Sequence, residues 1–247
     1  MNTRNQIYSD LASTKGWLSF YILMFLLAAT LPYSWLIAHF GYDDILREPT
    51  EKILTSFYAG GAALVLAWFA FAMSALMFIP VAMGFSRLLS RLHVSKWDAS
   101  ILGVASAIVQ AAGLLRWVLV VPSLAATFVA PNTSAIQRDT LVIAFDIVHR
   151  FGGMLLGEML GQLLLAAWTT LVSIQLYRSR AVSHWISIVG MATIPLWLLG
   201  QTELLHEVIP AIPSIEVIPI AFMAWEVWLM LLAVSFGLSA WKARRIT

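Results

Sequence analysis

Six long apolar runs, at about 17–39, 58–86, 98–121, 141–176, 184–202 and 217–241, dominate the chain and leave only short polar connections between them. A helix needs roughly 20 apolar residues to cross about 30 Å of hydrocarbon, and in lipid every backbone N–H and C=O must be satisfied within the spanning structure. Each run meets that requirement as a helix. The expected fold class is therefore all-α: a polytopic membrane helix bundle with six transmembrane helices. Charged residues make up 11% of the chain, well below the roughly 25% of soluble domains, so lipid is the solvent this composition suits. Six spans use nearly all 247 residues, and 1–247 reads as a single transmembrane domain. The polar start through Lys15 runs into an apolar stretch longer than a signal-peptide core, which favours a retained first helix. The second and fourth runs exceed a perpendicular crossing and must tilt, kink or project, with Pro80 placed as a kink site.

Charge placement gives the bundle a direction. Arg4, Lys15, Arg87, Arg91, Lys96, Arg178, Arg180, Lys242, Arg244 and Arg245 fall on one side, against Arg47, Lys52 and Arg138 on the other. By the positive-inside rule both termini are expected in the cytoplasm. The opposite loops are acidic, carrying Asp43, Asp44, Glu48, Glu51, Asp139, Glu203, Glu207 and Glu216. The formal charge of +2 is small and forms no stripe that could follow a phosphate backbone, which disfavours nucleic acid as a partner. With no cysteine, the chain can build neither an iron–sulfur cluster nor a c-type haem attachment. Lys15, Lys52, Lys96 and Lys242 all sit at loops or ends, leaving no mid-membrane lysine for a retinal Schiff base.

Ionisable groups inside hydrocarbon are costly, so each is a functional hypothesis by default. They share one depth here. The third helix carries Arg116 near its outer end, shortly before Pro122. The fourth runs inward from Asp146, His149 and Arg150 to Glu158 and Gln162. The fifth ends with Gln201, Glu203, His206 and Glu207, and the sixth holds Glu226 about nine residues in, or roughly 13 Å at 1.5 Å per residue. The inner halves, such as 164–174 and 229–240, offer only Thr and Ser, with Gln175 just beyond. The pattern predicts an outward-facing polar pocket closed below by an apolar plug. At about 100° per residue, Asp146, Arg150, Gly153, Gly157 and Gly161 fall on one stripe, with Glu158 and Gln162 on its flank and His149 roughly opposite Glu158. Small residues four apart allow close helix approach. Asp146 and Arg150 can pair locally, which leaves Arg116 for Glu158 or Glu226.

For Arg116, Glu158 and Glu226 the plain reading is an ion-pair network fixing helix register. The sharper readings are a ligand site with Arg116 as anchor, supported by Asp146, His149, Arg150, Gln162 and Gln201, or acid–base catalysis by Glu158 and Glu226. Glu203, His206 and Glu207 stand at helix spacing as a divalent-metal candidate, which His149 or His39 could complete, with solvated interfacial residues as the plain alternative. Among 11 tryptophans, Trp17, Trp35, Trp97, Trp185 and Trp241 flank helix ends as an aromatic belt does, whereas Trp68, Trp197, Trp225 and Trp228 lie deeper, as packing or as cavity lining.

From about residue 100 to 240 the chain resembles an uncharacterised bacterial family of multi-pass membrane proteins, a domain of unknown function. The resemblance rests on QAAGLLRW (Gln110–Trp117), on His149 followed by Gly152 and Gly153, and on the Tyr177-Arg178-Ser179 turn leading to Trp185 and Gly190. It implies a bacterial inner-membrane protein of this architecture and no particular chemistry. Glu158, Glu226 and the Glu203–Glu207 group lie outside the motifs that carry it. The functional expectation is binding of a small lipophilic or anionic ligand, or of a partner subunit, within the bilayer, as a homo-oligomer or an accessory subunit. The alternatives are an intramembrane enzyme acting on a lipid or isoprenoid-like substrate, and a small proton-coupled transporter.

Overall fold

A computed structural model of the chain describes residues 3–93 and 98–245, with side chains from residue 10 onward in the first helix. Lys96, Trp97 and the side chain of Arg4, used above for topology and the aromatic belt, lie outside the described residues. Among these residues the fold is all helical, and six stretches are long and apolar enough to cross a membrane: Asp10–Phe40, Thr50–Arg91, Ser100–Val129, Ala135–Ser179, His184–His206 and Ile218–Arg244. Every expected span is present, and each helix continues past the C-terminal end of the apolar run that announced it. The polar ends keep their helical hydrogen bonds where the side chains can reach water.

Several spans are interrupted, each for a local reason. The first is one helix, α1 (Thr3–Phe40). The second divides into α2 (Thr50–Leu76) and α3 (Phe78–Arg91). Pro80 has no N–H to close on the carbonyl of Leu76, and the break at Met77 follows. A second kink, inside α2, was not foreseen: Gly61 sits at φ 57°, ψ −151°, a conformation open to glycine alone. The third span comprises α4 (Ser100–Leu114), α5 (Arg116–Leu119) and α6 (Val121–Val129). Pro122 withholds the N–H that would bond Val118, and the chain turns at Val120 just before it. In the fourth, α7 (Ala135–Val148) opens on a capping box between Ser134 and Gln137 and leads into a π-helix at His149–Leu160, then α8 (Gly161–Ser179). The i→i+5 pattern of a π-helix is rare and is often found at functional sites. Two unbroken helices, α9 (His184–His206) and α10 (Ile218–Arg244), complete the chain.

The residues group into two compact units, one of Met1–Leu26, Met77–Ala107 and Gln162–Thr247, the other of Leu27–Leu76 and Ile108–Gly161. In the first, Trp168, Trp225 and Trp228 are buried with Phe85 and Phe236, and the Trp225 indole donates to Thr169 Oγ1 at 2.9 Å. At one end of this unit Arg91 donates to the Asp10 carbonyl and Thr14 Oγ1 at 2.9 and 2.7 Å, and Lys15 donates to the Ala181 carbonyl at 3.3 Å. The N-terminal segment therefore meets Arg91 at the end of α3 and Ala181 in the connection after α8. The second unit is built on stacked rings. Trp68 and Trp117 lie 4.8 Å apart and nearly parallel, Phe57 covers Trp117 at 5.5 Å, and Phe40 meets both tryptophans edge-on. Lipid is as apolar as these side chains, so such packing, about 0.5–1.5 kcal/mol per aromatic pair, does what the hydrophobic effect does in water. Leu31, Leu66, Leu119, Ile147 and Phe151 remain exposed, as lipid-facing residues should.

Asp98 starts α4. Hydrogen bonds from the Ser100 hydroxyl, from the Ser86 hydroxyl at 2.7 Å and from the Ser100 N–H at 2.9 Å hold its carboxyl below the usual range. A depressed folded value contributes stability above the ordinary carboxylate range, and that contribution is lost as pH falls through the folded value. Asp98→Ala should therefore cost about 0.5–1 kcal/mol at neutral pH, the low end for lost hydrogen bonds to a charged group because the carboxylate is exposed. Thermal melts should show the difference from wild type closing as the medium is acidified below the carboxylate range.

Candidate functional site

Arg116 is placed by the break in the third span. It opens α5 after the turn at Leu115, and there it is buried, with 7% of its surface exposed. Its Nη1 donates to the Gly113 carbonyl at 2.7 Å. Its Nη2 lies 3.5 Å from Nδ1 of His149. A guanidinium can only donate, so Nδ1 accepts, and the His149 ring is a neutral imidazole with its proton on Nε2. The ring is held in place by stacking on Phe145, 5.5 Å away and nearly parallel. The guanidinium carbon stands 5.2 Å from the centre of the Trp117 ring, a cation–π contact. Nε has no partner.

The room for this group comes from glycines. A Cβ on Gly153 would stand 2.5 Å from Arg116 Nη2 and 2.8 Å from Cζ, so the guanidinium rests directly on the π-helix backbone. A Cβ on Gly113 would lie 2.5 Å from the Gly152 carbonyl oxygen and 2.9 Å from Gly157 Cα, so these two backbones touch without side chains between them. His149 and Gly153, four residues apart and so about 40° apart on a 100° wheel, both lie against Arg116, whereas Arg150, on the stripe expected from the sequence, is exposed. Asp146 also lies at the surface, where it accepts from Thr50 Oγ1 at 2.7 Å.

Two tyrosines and two acids complete the second unit's polar region. Tyr33 donates to Asp43 Oδ2 at 2.9 Å, and Tyr42 packs edge-on against Trp68 at 4.9 Å and Tyr33 at 5.7 Å. Burial pushes the Tyr42 phenol well above its ordinary value, the Asp43 and Glu158 carboxylates push it further, and the Arg116 guanidinium opposes them.

Of the residues singled out from the sequence, Arg116, Asp146, His149, Arg150 and Glu158 belong to this unit. Gln162, Gln201, Glu203, His206, Glu207 and Glu226 belong to the first. There Gln201 Nε2 donates to Gln162 Oε1 at 2.8 Å, and Glu226 is partly buried. Among the described residues no three His, Asp or Glu side chains are gathered as a metal ion requires, Glu203, His206 and Glu207 included. The His206 Nδ1 is engaged instead with the Ile212 carbonyl at 2.7 Å, in the turn that follows α9. Sequence reasoning missed the indole N–H groups of Trp68 and Trp117, both buried and without partners. The signal for Trp117 was its place beside Arg116; Trp68 was noted only as a deep ring.

Residues 19–237 match the family described as a domain of unknown function, DUF4386. The match spans most of the chain, which belongs to that family. No curated protein and no solved structure is significantly similar. Gly113, Arg116, Trp117, His149, Gly152 and Gly153, which carried the resemblance in the sequence, are the residues that meet around the guanidinium.

The two glycine contacts differ in what can yield. At Gly113 an added methyl meets only backbone, so Gly113→Ala should cost about 1–3 kcal/mol. At Gly153 it meets the tip of a long side chain, so Gly153→Ala should fold with a clearly smaller loss while displacing the guanidinium. Thermal denaturation of the two variants in detergent checks the order; a larger loss at Gly153 would contradict it.

Proposed function

We propose that this DUF4386 member is a multi-pass inner-membrane protein, with both termini cytoplasmic, that binds an anionic or carbonyl group of a small lipophilic ligand at Arg116. One observation carries the reading. In the second unit the buried side-chain atoms without a partner are Arg116 Nε, Trp68 Nε1 and Trp117 Nε1, all of them N–H donors. An unsatisfied buried donor costs about 1–3 kcal/mol, and more when charged. A ligand oxygen would satisfy what the protein leaves open. Arg116 supplies charge and direction, and the Trp117 ring and Gly153 fix the plane of the guanidinium. His149, neutral and turned by Arg116, offers a further N–H from Nε2. The stacked rings of Trp68, Trp117 and Phe57 give the apolar wall against which a hydrocarbon body fits.

The orientation follows from the basic residues grouped at one side and the acidic loops at the other, and the bacterial membrane from the family resemblance. On that topology the Arg116 region lies in the outer half, open to the outer leaflet.

The test compares two C12 probes that differ only in the head group, dodecanoate and dodecanol, by thermal shift of the purified protein in detergent. Dodecanoate at about 100 times its Kd should stabilise the protein by about 2.7 kcal/mol, with dodecanol nearly inert. Arg116→Gln should abolish the dodecanoate shift, and Gly153→Ala should weaken it. Equal shifts from acid and alcohol, or a shift that survives in Arg116→Gln, would refute the assignment.

A further inference from the structure

The first unit holds a second group of buried, unsatisfied polar atoms, of a different kind. Ser173 on α8, Ser187 on α9 and Trp228 on α10 are fully buried, with 0% of their surfaces exposed. Neither hydroxyl oxygen nor the indole nitrogen has a partner. Two of them meet at Gly190: a Cβ there would lie 2.7 Å from Trp228 Nε1 and closer still to Ser173 Oγ. Ser187 stands three residues earlier on α9, on the face that carries Gly190. Hydroxyls in apolar helices normally turn back to a carbonyl of the preceding turn, as Thr193 does to Gly190 at 2.8 Å and Thr170 does to Ala166 at 2.7 Å. Ser173 and Ser187 do not.

We propose that this node binds one water molecule, held between α8, α9 and α10. The water accepts from the Trp228 Nε1–H and donates to Ser173 Oγ and Ser187 Oγ. That makes three hydrogen bonds, the usual number for a buried water. An indole N–H turned toward the site disfavours a cation, and the pressing of Ser173 and Trp228 onto Gly190 leaves no space for a larger ligand. Gly190 is then the residue that lets both neighbours come close enough to share the molecule. The water fastens three helices in a unit otherwise packed largely through aromatic rings, and it hydrates part of the region that the sequence presents as an apolar plug.

The test uses the full chain in detergent, by thermal stability and by NMR of its indole N–H groups. The Trp228 resonance is the one lost in Trp228→Phe. With the water in place, that resonance shows a cross-relaxation peak to water in wild type, and Ser173→Ala and Ser187→Ala each lower the melting temperature. An empty node gives the opposite sign, because deleting an unsatisfied buried hydroxyl relieves its desolvation cost. Either a melting temperature unchanged or raised in both serine variants, or no water peak at the Trp228 indole, overturns the proposal.

Discussion

A guanidinium cannot shed its charge to escape an apolar setting, and placing one at the centre of a membrane helix costs about 2.5–3.5 kcal/mol even on insertion scales. The local architecture of the second unit answers that cost at Arg116. The turn at Leu115 brings Arg116 within reach of the Gly113 carbonyl. The π-helix at His149–Leu160 puts His149 and Gly153 against the guanidinium. The Trp117 face supplies a cation–π contact. The broken third span and the widened fourth, which would each weaken a plain membrane helix, together make the niche. What they leave unsatisfied is a set of donors, and this is why the site reads as a receptor for an acceptor group.

The two units meet the same problem, of holding helices together in a solvent as apolar as their side chains, with the same materials in different proportion. The second uses close backbone contact at Gly113, Gly152 and Gly157 and a stack of rings. The first uses rings pressed against Gly103 and Gly190 and a few hydrogen bonds such as that from Ser19 Oγ to the Ala233 carbonyl at 2.7 Å. Its unpartnered atoms include hydroxyl and amide oxygens as well as indole N–H groups. Water can satisfy a mixed set of that kind, whereas the donor-only set around Arg116 calls for an acceptor.

How much of this was legible in the sequence follows from what each feature depends on. The six spans were readable because lipid imposes length and apolarity on every helix, and Pro80 marked its break because a missing N–H acts wherever it falls. Arg116 stood out as a charge in an apolar run. The π-helix was not readable, since Gly152, Gly153 and Gly157 permit it without requiring it. The kink at Gly61 was hidden in the same way. The indole donors of Trp68 and Trp117 count as apolar in any periodicity, and only packing decides whether their N–H groups find a partner. Glu203, His206 and Glu207 show the converse: helical spacing suggested a shared metal, but the helix ends at His206 and the imidazole turns to the Ile212 carbonyl.

The most direct measurement is an experimental density map of the protein purified with its native lipid. Binding at Arg116 predicts non-protein density within hydrogen-bonding distance of its Nε, bounded by Trp68 and Trp117. A map in which a protein acceptor closes on that nitrogen, with no density beside it, would show that the guanidinium serves helix register alone.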